Sequence, residues 1–271
     1  MEILFSHKFS LTGWWYWATK GKFSLSNQGV KYCLLDRDIW VLTEDGQMLT
    51  VPCNPFQVRM SSRWRLIHSD SRPYLVFDET CGLDINTLCM HSPLPESVHE
   101  QYLQELLPWG YYEIATFDYG PYHIERKGEW GYRCLKDGEC IWEFTGRPWL
   151  YTKIKCRGNH LYFGTSGNGG NFYILDLATG ELLFREKTGG TEYLVENGPY
   201  IYILRNAPKA QLLKVNLDTV RIEEIVDLPG KAEAGGAIEL IEGNIHAITA
   251  VYNRKGILEE IYWNCVKADY A

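Results

Sequence analysis

The 271 residues contain no apolar run approaching the ~18 residues that a membrane-spanning helix needs, because charges or glycines interrupt every hydrophobic segment. The N-terminal stretch Met1-Glu-Ile-Leu-Phe-Ser-His-Lys lacks the basic region, apolar core and small-residue cleavage site of a secretory signal, so the expectation is a cytoplasmic chain. Basic charge is scarce: 27 Lys+Arg against 34 Asp+Glu give a formal net charge of -7. That balance argues against direct binding of nucleic acid, whose protein footprint is basic. Metal and catalytic signatures are missing too. The eight cysteines (Cys33, Cys53, Cys81, Cys89, Cys134, Cys140, Cys156, Cys265) include no Cys-x-x-Cys and read as reduced, mostly buried small hydrophobes. His7, His68, His91, His99, His123, His160 and His246 form no His-Glu-x-x-His pair, and no Gly-x-Ser-x-Gly elbow occurs. For His123, His160 and His246 a core or turn role is expected. Gly164-Thr-Ser-Gly-Asn-Gly-Gly170 lacks the Gly-Lys-Ser/Thr ending of a phosphate loop, so it reads as a hairpin tip. No cofactor, no bound metal and no catalytic residue is expected.

Aromatic residues, by contrast, are abundant: 10 Trp, 18 Tyr and 10 Phe make 14% of the chain, a composition suited to pleated sheets. An internal repeat is legible. Its clearest copy runs Asn159-His-Leu-Tyr-Phe-Gly, a glycine-rich tip, Asn171-Phe-Tyr-Ile-Leu-Asp-Leu-Ala-Thr-Gly180, then Glu181-Leu-Leu-Phe-Arg. Alternating strands are separated by turn signals, and the same order recurs around Gly138 and Val220. Turn anchors at Gly46, Thr87, Gly138, Gly180, Val220 and a degenerate Asn264 are spaced by 41, 51, 42, 40 and 44 residues. A period in the low forties with four short strands per unit predicts a six-bladed β-propeller, a single all-β domain over 1–271. Seven blades is the competitor, because residues 10–30 could form a cramped extra blade.

The blades are placed at 10–55, 56–96, 108–147, 148–190, 191–230 and 231–271 plus 1–9, the N-terminal strand completing the last blade and closing the ring. The one long gap holds Ser97-Val-His-Glu-Gln-Tyr-Leu-Gln-Glu-Leu-Leu-Pro108. Ser97 and Glu100 fit a capping box, and Val98, Tyr102, Leu103, Leu106 and Leu107 share one face, so a short helix is predicted near 97–107. Trp14-Trp-Tyr-Trp17 reads as core packing on an inner strand, with a stacking platform as the other reading.

Asp-Leu-Ala-Thr-Gly-Glu-Leu-Leu-Phe (176–184) and Lys-Asp-Gly-Glu-Cys-Ile-Trp (136–142) resemble the pyrroloquinoline-quinone-type propeller repeat. There a strand ends in Asp, a Thr-Gly or Asp-Gly turn follows, and an aromatic stands four residues after the glycine, the place held here by Phe184 and Trp142. The resemblance covers about two repeats and implies a quinoprotein-like scaffold without its quinone.

Sorting loop charges by blade end places Asp36, Asp38, Asp78 and Glu79 beside the inserted helix, which adds Glu96, Glu100 and Glu105; Arg126, Lys127, Lys209, Arg254 and Lys255 fall in the same loops of other blades. Function resides in loops added to rigid scaffolds. The acidic cluster therefore points to a noncatalytic propeller, monomeric on its own, that docks a basic protein, as an inhibitor or immunity protein would neutralise a toxin nuclease. The alternative is a small-molecule binder or hydrolytic enzyme using the central channel.

Overall fold

The computed structural model describes residues 1–15, 21–35, 38–52, 64–105, 116–127, 131–145, 154–165, 170–189, 194–205, 209–230, 238–255 and 257–268, without the side chains at 11–15, 35 and 117. The chain divides into two compact units, one comprising Met1–Ser6, Tyr111–Val251 and Ile261–Ala271, the other His7–Gly110 and Tyr252–Glu260.

The chain opens with β1 (Glu2–Trp15). The first sheet is then β2 (Gly21–Ser26), β3 (Gly29–Leu35), β4 (Ile39–Thr43) and β5 (Met48–Val51), and the second is β6 (Arg65–Ser69), β7 (Arg72–Val76), β8 (Gly82–Asp84) and β9 (Cys89–His91). Helix α1 (Glu96–Glu105) follows. The third sheet holds β10 (Phe117–Tyr119), β11 (Tyr122–Lys127), β12 (Gly131–Lys136) and β13 (Glu139–Thr145). The fourth holds β14 (Lys155–Arg157), β15 (His160–Gly164), β16 (Asn171–Asp176) and β17 (Leu182–Lys187). The fifth holds β18 (Leu194–Asn197), β19 (Tyr200–Arg205), β20 (Gln211–Asn216) and β21 (Arg221–Asp227). The sixth joins β22 (Ile238–Ile241), β23 (Asn244–Tyr252) and β24 (Ile257–Lys267) to β1, in the order β1-β24-β23-β22. Six four-stranded antiparallel sheets, five of them meanders of consecutive strands and the sixth completed by β1, are the blades of a six-bladed β-propeller. Among the described residues no helix is long and apolar enough to cross a membrane.

Three boundaries depart from the sequence reading. Residues 10–15 extend β1 in the sixth sheet instead of opening the first blade, so no extra blade forms between 10 and 30. Trp14 and Trp15 consequently end an outer strand, not the inner one expected of Trp14–Trp17, and residues 16 and 17 lie outside the described residues. Asn264 is no turn. It lies inside β24 and is fully buried, because the sixth sheet takes its fourth strand from the other end of the chain and has no turn there to mark.

Faces alternate along each strand. On the fourth sheet Leu161, Phe163, Tyr173 and Leu175 pack with Ile124, Tyr132, Cys134 and Trp142 of the third. Its opposite face, carrying Tyr162, Phe172 and Ile174, packs with Ile201, Ile203, Leu213 and Val215 of the fifth. The fifth meets the sixth through Tyr202, Leu204, Leu212, Ile245, Ala247 and Val266, and the first meets the second through Cys33, Val41, Leu75, Phe77 and Leu83. Lys31 ties these last two sheets: its buried ammonium donates to Gln28 Oε1 (3.0 Å) and to the Ile85 carbonyl (3.2 Å), and burial pushes its pKa down.

The repeat is visible atom by atom at the turns joining each third strand to the fourth. Asp84, Asp176 and Asn216 each end a third strand, and each accepts the N–H groups two and three residues on, at 2.8–3.1 Å. Such side-chain-to-backbone bonds fix the turn. Beyond it a β-bulge recurs at one place in three sheets, between Cys134 and Leu135, Ile174 and Leu175, and Lys214 and Val215. The unpaired residue is Ile141, Leu183 or Glu223, three positions after the anchors Gly138, Gly180 and Val220. A bulge re-aims the residue beside it. In the third sheet that residue is Trp142, whose indole Nε1–H donates to the Leu177 carbonyl at 2.7 Å in the turn of the fourth sheet.

Gly180 lies beneath that indole: at φ +72°, a Cβ there would come within 2.5 Å of Trp142 Cγ. Gly138 has a similar φ of +82° with nothing within 4 Å. Gly180→Ala should therefore lower the urea-unfolding midpoint more than Gly138→Ala, the difference being about 1–3 kcal/mol for displacing the indole. Equal losses in the two variants would show that the indole does not press on this turn.

Candidate functional site

Helix α1 begins after Ser92-Pro-Leu-Pro95, and its first bond runs from the His99 N–H to the Pro95 carbonyl (2.9 Å). The capping box is corrected by this start. Ser97 stands inside the first turn, and its hydroxyl pairs with that of Ser69 (2.8 Å) instead of capping. Val98 and Tyr102 are fully buried against Ile67, Tyr74, Val76 and Leu94, so the helix lies on the face of the second sheet that the first sheet leaves uncovered. Leu103, expected on the buried face, is 46% exposed. At ~100° per residue, Glu100 points directly away from the midpoint of Val98 and Tyr102, with Glu96 about 40° and Leu103 about 60° to the same side of it. Glu105 stands about 140° to the other side. Residues 106–108 lie outside the described residues.

Of the seven acids, the six that lie among the described residues differ in setting. Glu96, Glu100 and Glu105 are exposed on the helix, Glu79 is exposed in the β7–β8 loop, and Asp38 and Asp78 are half-buried. Asp36 lies outside the described residues. Asp78 Oδ1 accepts from the Thr80 N–H and hydroxyl (2.7 Å each) and the Cys81 N–H (3.1 Å). Burial works to raise its pKa, but those bonds prevail and hold the carboxyl below its ordinary value. That side chain therefore serves its own loop. Ser97 meets the β6–β7 turn, whereas Asp78 and Glu79 follow the other end of β7, some six residues or about 20 Å of strand away. Glu96 and Glu100 have no ion pair among the described residues. Of the five opposing bases, Lys127 pairs with Glu143 and Lys209 with Asp227, Arg126 is half-buried, and Arg254 and Lys255 are exposed in the β23–β24 turn.

Other polar clusters were not legible as sites. His123 Nδ1 lies 2.6 Å from Asp118 Oδ1 while its Nε2 faces Glu125 at 3.8 Å. The carboxylates occupy opposite nitrogens, which does not suit a shared metal, and no group of three or more His, Cys, Asp or Glu able to hold one occurs among the described residues. Glu196 receives the Tyr162 hydroxyl (2.5 Å) and the Lys155 ammonium (3.1 Å), joining the fourth and fifth sheets. Tyr162 is pushed up chiefly by burial, then by Glu196. Of the described cysteines, all free, Cys33, Cys81, Cys134 and Cys265 are buried, Cys156 is half-buried, and Cys89 and Cys140 are exposed. The tip at 164–170 is a β15–β16 hairpin closed by the Thr165 N–H on the Asn171 carbonyl (2.8 Å), with 166–169 outside the described residues.

In the sixth sheet the Trp263 indole N–H donates to His246 Nδ1 (3.0 Å), which leaves the proton on Nε2, 3.7 Å from Cys265 Sγ. The arrangement requires a neutral imidazole, and burial pushes the His246 pKa down to about 4.

No protein-family model and no curated protein sequence matches the chain. Among solved structures it is similar to BamB from Moraxella catarrhalis (14% identity, covering 89% of this chain and 71% of that one, TM-score 0.34). It is similar too to the WD40 β-propeller domain of Doa1 (11%, 96% and 86%, TM-score 0.37) and to the mitotic checkpoint complex (11%, 96% and 91%, TM-score 0.35). The blade assignment rests on the strand order and registers above.

The histidine carries a pH dependence whose sign follows from its depressed pKa. Between pH 4 and 6.5 the unfolded chain binds a proton at His246 that the folded chain refuses, so this contribution to stability is complete above pH 6.5 and is lost as pH falls toward 4. The loss should approach about 3 kcal/mol. His246→Gln, which keeps an acceptor for Trp263 but does not titrate, should flatten the urea midpoint over that range. Parallel pH profiles for the two proteins would contradict the assignment.

Proposed function

We propose that this is a noncatalytic protein-binding propeller that docks a basic partner on helix α1, as an inhibitor or immunity protein that neutralises a toxin such as a nuclease. The observation that carries the reading is the way α1 is held. Val98 and Tyr102 are fully buried, so the helix is rigidly seated, while Glu96 and Glu100 point outward and have no ion pair among the described residues. A preorganised acidic stripe steers a basic partner and adds little ordering cost on binding. The net charge of -7 favours the same class of partner, since it raises the encounter rate with a cation over any anion.

The test compares what the immobilised wild-type chain retains from lysate with what the Glu96→Lys/Glu100→Lys chain retains, using quantitative mass spectrometry. One basic protein should be kept by the wild type and lost from the double reversal. It should also be kept by a control reversing Asp218 and Glu259, which are exposed acids of the fifth and sixth sheets. With that protein purified, the double reversal should slow association and flatten its salt dependence, leaving thermal stability within about 0.5 kcal/mol because the apolar face of α1 is untouched. Equal retention by the wild type and the helix reversal would refute the assignment.

A further inference from the structure

β1 is the outer strand of the sixth sheet and pairs with β24 alone. Three consecutive residues near its middle nevertheless each engage a different partner. The Ser6 hydroxyl donates to Asn264 Oδ1 (2.7 Å), whose amide in turn donates to the Thr249 hydroxyl (3.1 Å). Lys8 forms an ion pair with Glu260 at 2.5 Å. Between them, His7 Nε2 lies 2.9 Å from the Glu44 carbonyl in the β4–β5 turn, as its donor. Its ring covers Gly46 of the same turn: φ is +83°, and a Cβ at Gly46 would come within 3.0–3.3 Å of three ring atoms.

The same four elements compose the Trp142 contact. There too an outer strand offers a ring N–H to a carbonyl in a turn between third and fourth strands (Leu177, 2.7 Å), and the ring lies over the positive-φ glycine that ends that turn. Glycine suits both because the backbone is left-handed there and a Cβ would crowd the ring, tightly at Gly46 and prohibitively at Gly180. Gly46 and Gly180 are equivalent anchors of the repeat, so the two rings occupy corresponding places although one strand lies at the start of the chain and the other in its middle.

We infer that His7 is a docking ring that locks β1 in register, doing on the Gly46 turn what Trp142 does on the Gly180 turn. A strand paired on one side has few constraints on its register, and a slip of one residue turns every side chain to the opposite face. Such a slip removes the Ser6, His7 and Lys8 contacts together. The lock is therefore all-or-none, and His7 is the member of it that reaches a turn outside β24.

Substitution at His7 in the full chain tests this. His7→Trp, offering the ring and N–H that the Gly180 turn already accepts, should melt within about 2 °C of the wild type, whereas His7→Ala should melt about 2–6 °C lower. His7→Gln, which retains an N–H but no ring, should fall between. Lys8→Ala, next along the strand and removing a part-exposed ion pair, should change the melting temperature by less than His7→Ala does. If His7→Trp loses as much as His7→Ala, or if His7→Ala loses nothing beyond Lys8→Ala, the ring does not dock and the inference is overturned.

Discussion

A four-stranded sheet carrying large apolar side chains on both faces needs cover on both, and that requirement governs this chain. The fourth sheet shows it most fully, with Phe163 and Tyr173 buried on one side and Tyr162 and Phe172 on the other. Each such side chain contributes about 1.5–3 kcal/mol by leaving water, far more than the exposed ion pairs along the outer strands. The second sheet meets the requirement differently. One face takes the first sheet, while Ile67, Tyr74 and Val76 on the other take Val98 and Tyr102 of α1. The insertion that lengthens one repeat is thus a piece of core before it is a surface, and its outward acids are displayed on a helix that the fold holds in place.

Apolar cover alone does not set how neighbouring sheets meet. Turn chemistry does. Asp84, Asp176 and Asn216 shape their turns by accepting two successive N–H groups, and the bulge three residues past the anchor aims the next side chain across the gap. Where that side chain is an indole, as at Trp142, it gains a hydrogen bond as well as packing. The bulges also interrupt the free edges of β13, β17 and β21, whose exposed Ile141, Leu182, Leu183 and Ile225 would otherwise offer a flat apolar strand for pairing with other chains.

Much of this was legible in the sequence because it recurs. The period and the four-stranded units follow from turns that carry glycine or, as at Asp84, Asp176 and Asn216, an Asx residue for a physical reason, and the loan of β1 follows from the strand that the last unit lacks. What failed did so where a residue's role depends on a distant partner. Asn264 has the look of a turn residue, yet it satisfies Ser6 and Thr249 inside a sheet. Ser97 and Glu100 match a capping box, yet the helix starts at Glu96, straight after the prolines, and Leu103 faces outward because it stands about 120° from the midpoint of the buried Val98 and Tyr102. Asp78 reads as a surface charge, yet its own loop uses it through Thr80 and Cys81. His7 and His246 carry no local signal, since their partners, the Glu44 carbonyl and the Trp263 indole, come from elsewhere in the chain.

The account depends most on β1 belonging to the sixth sheet as a full strand. Hydrogen–deuterium exchange resolved by peptide tests this directly, because amides bonded into a sheet exchange only when that sheet opens. The N–H groups of β1 that face β24 should exchange on the timescale of those in β23 and β24, and slower than the β23–β24 turn. Exchange throughout β1 at the rate of an unstructured segment, with β23 and β24 still protected, would contradict it.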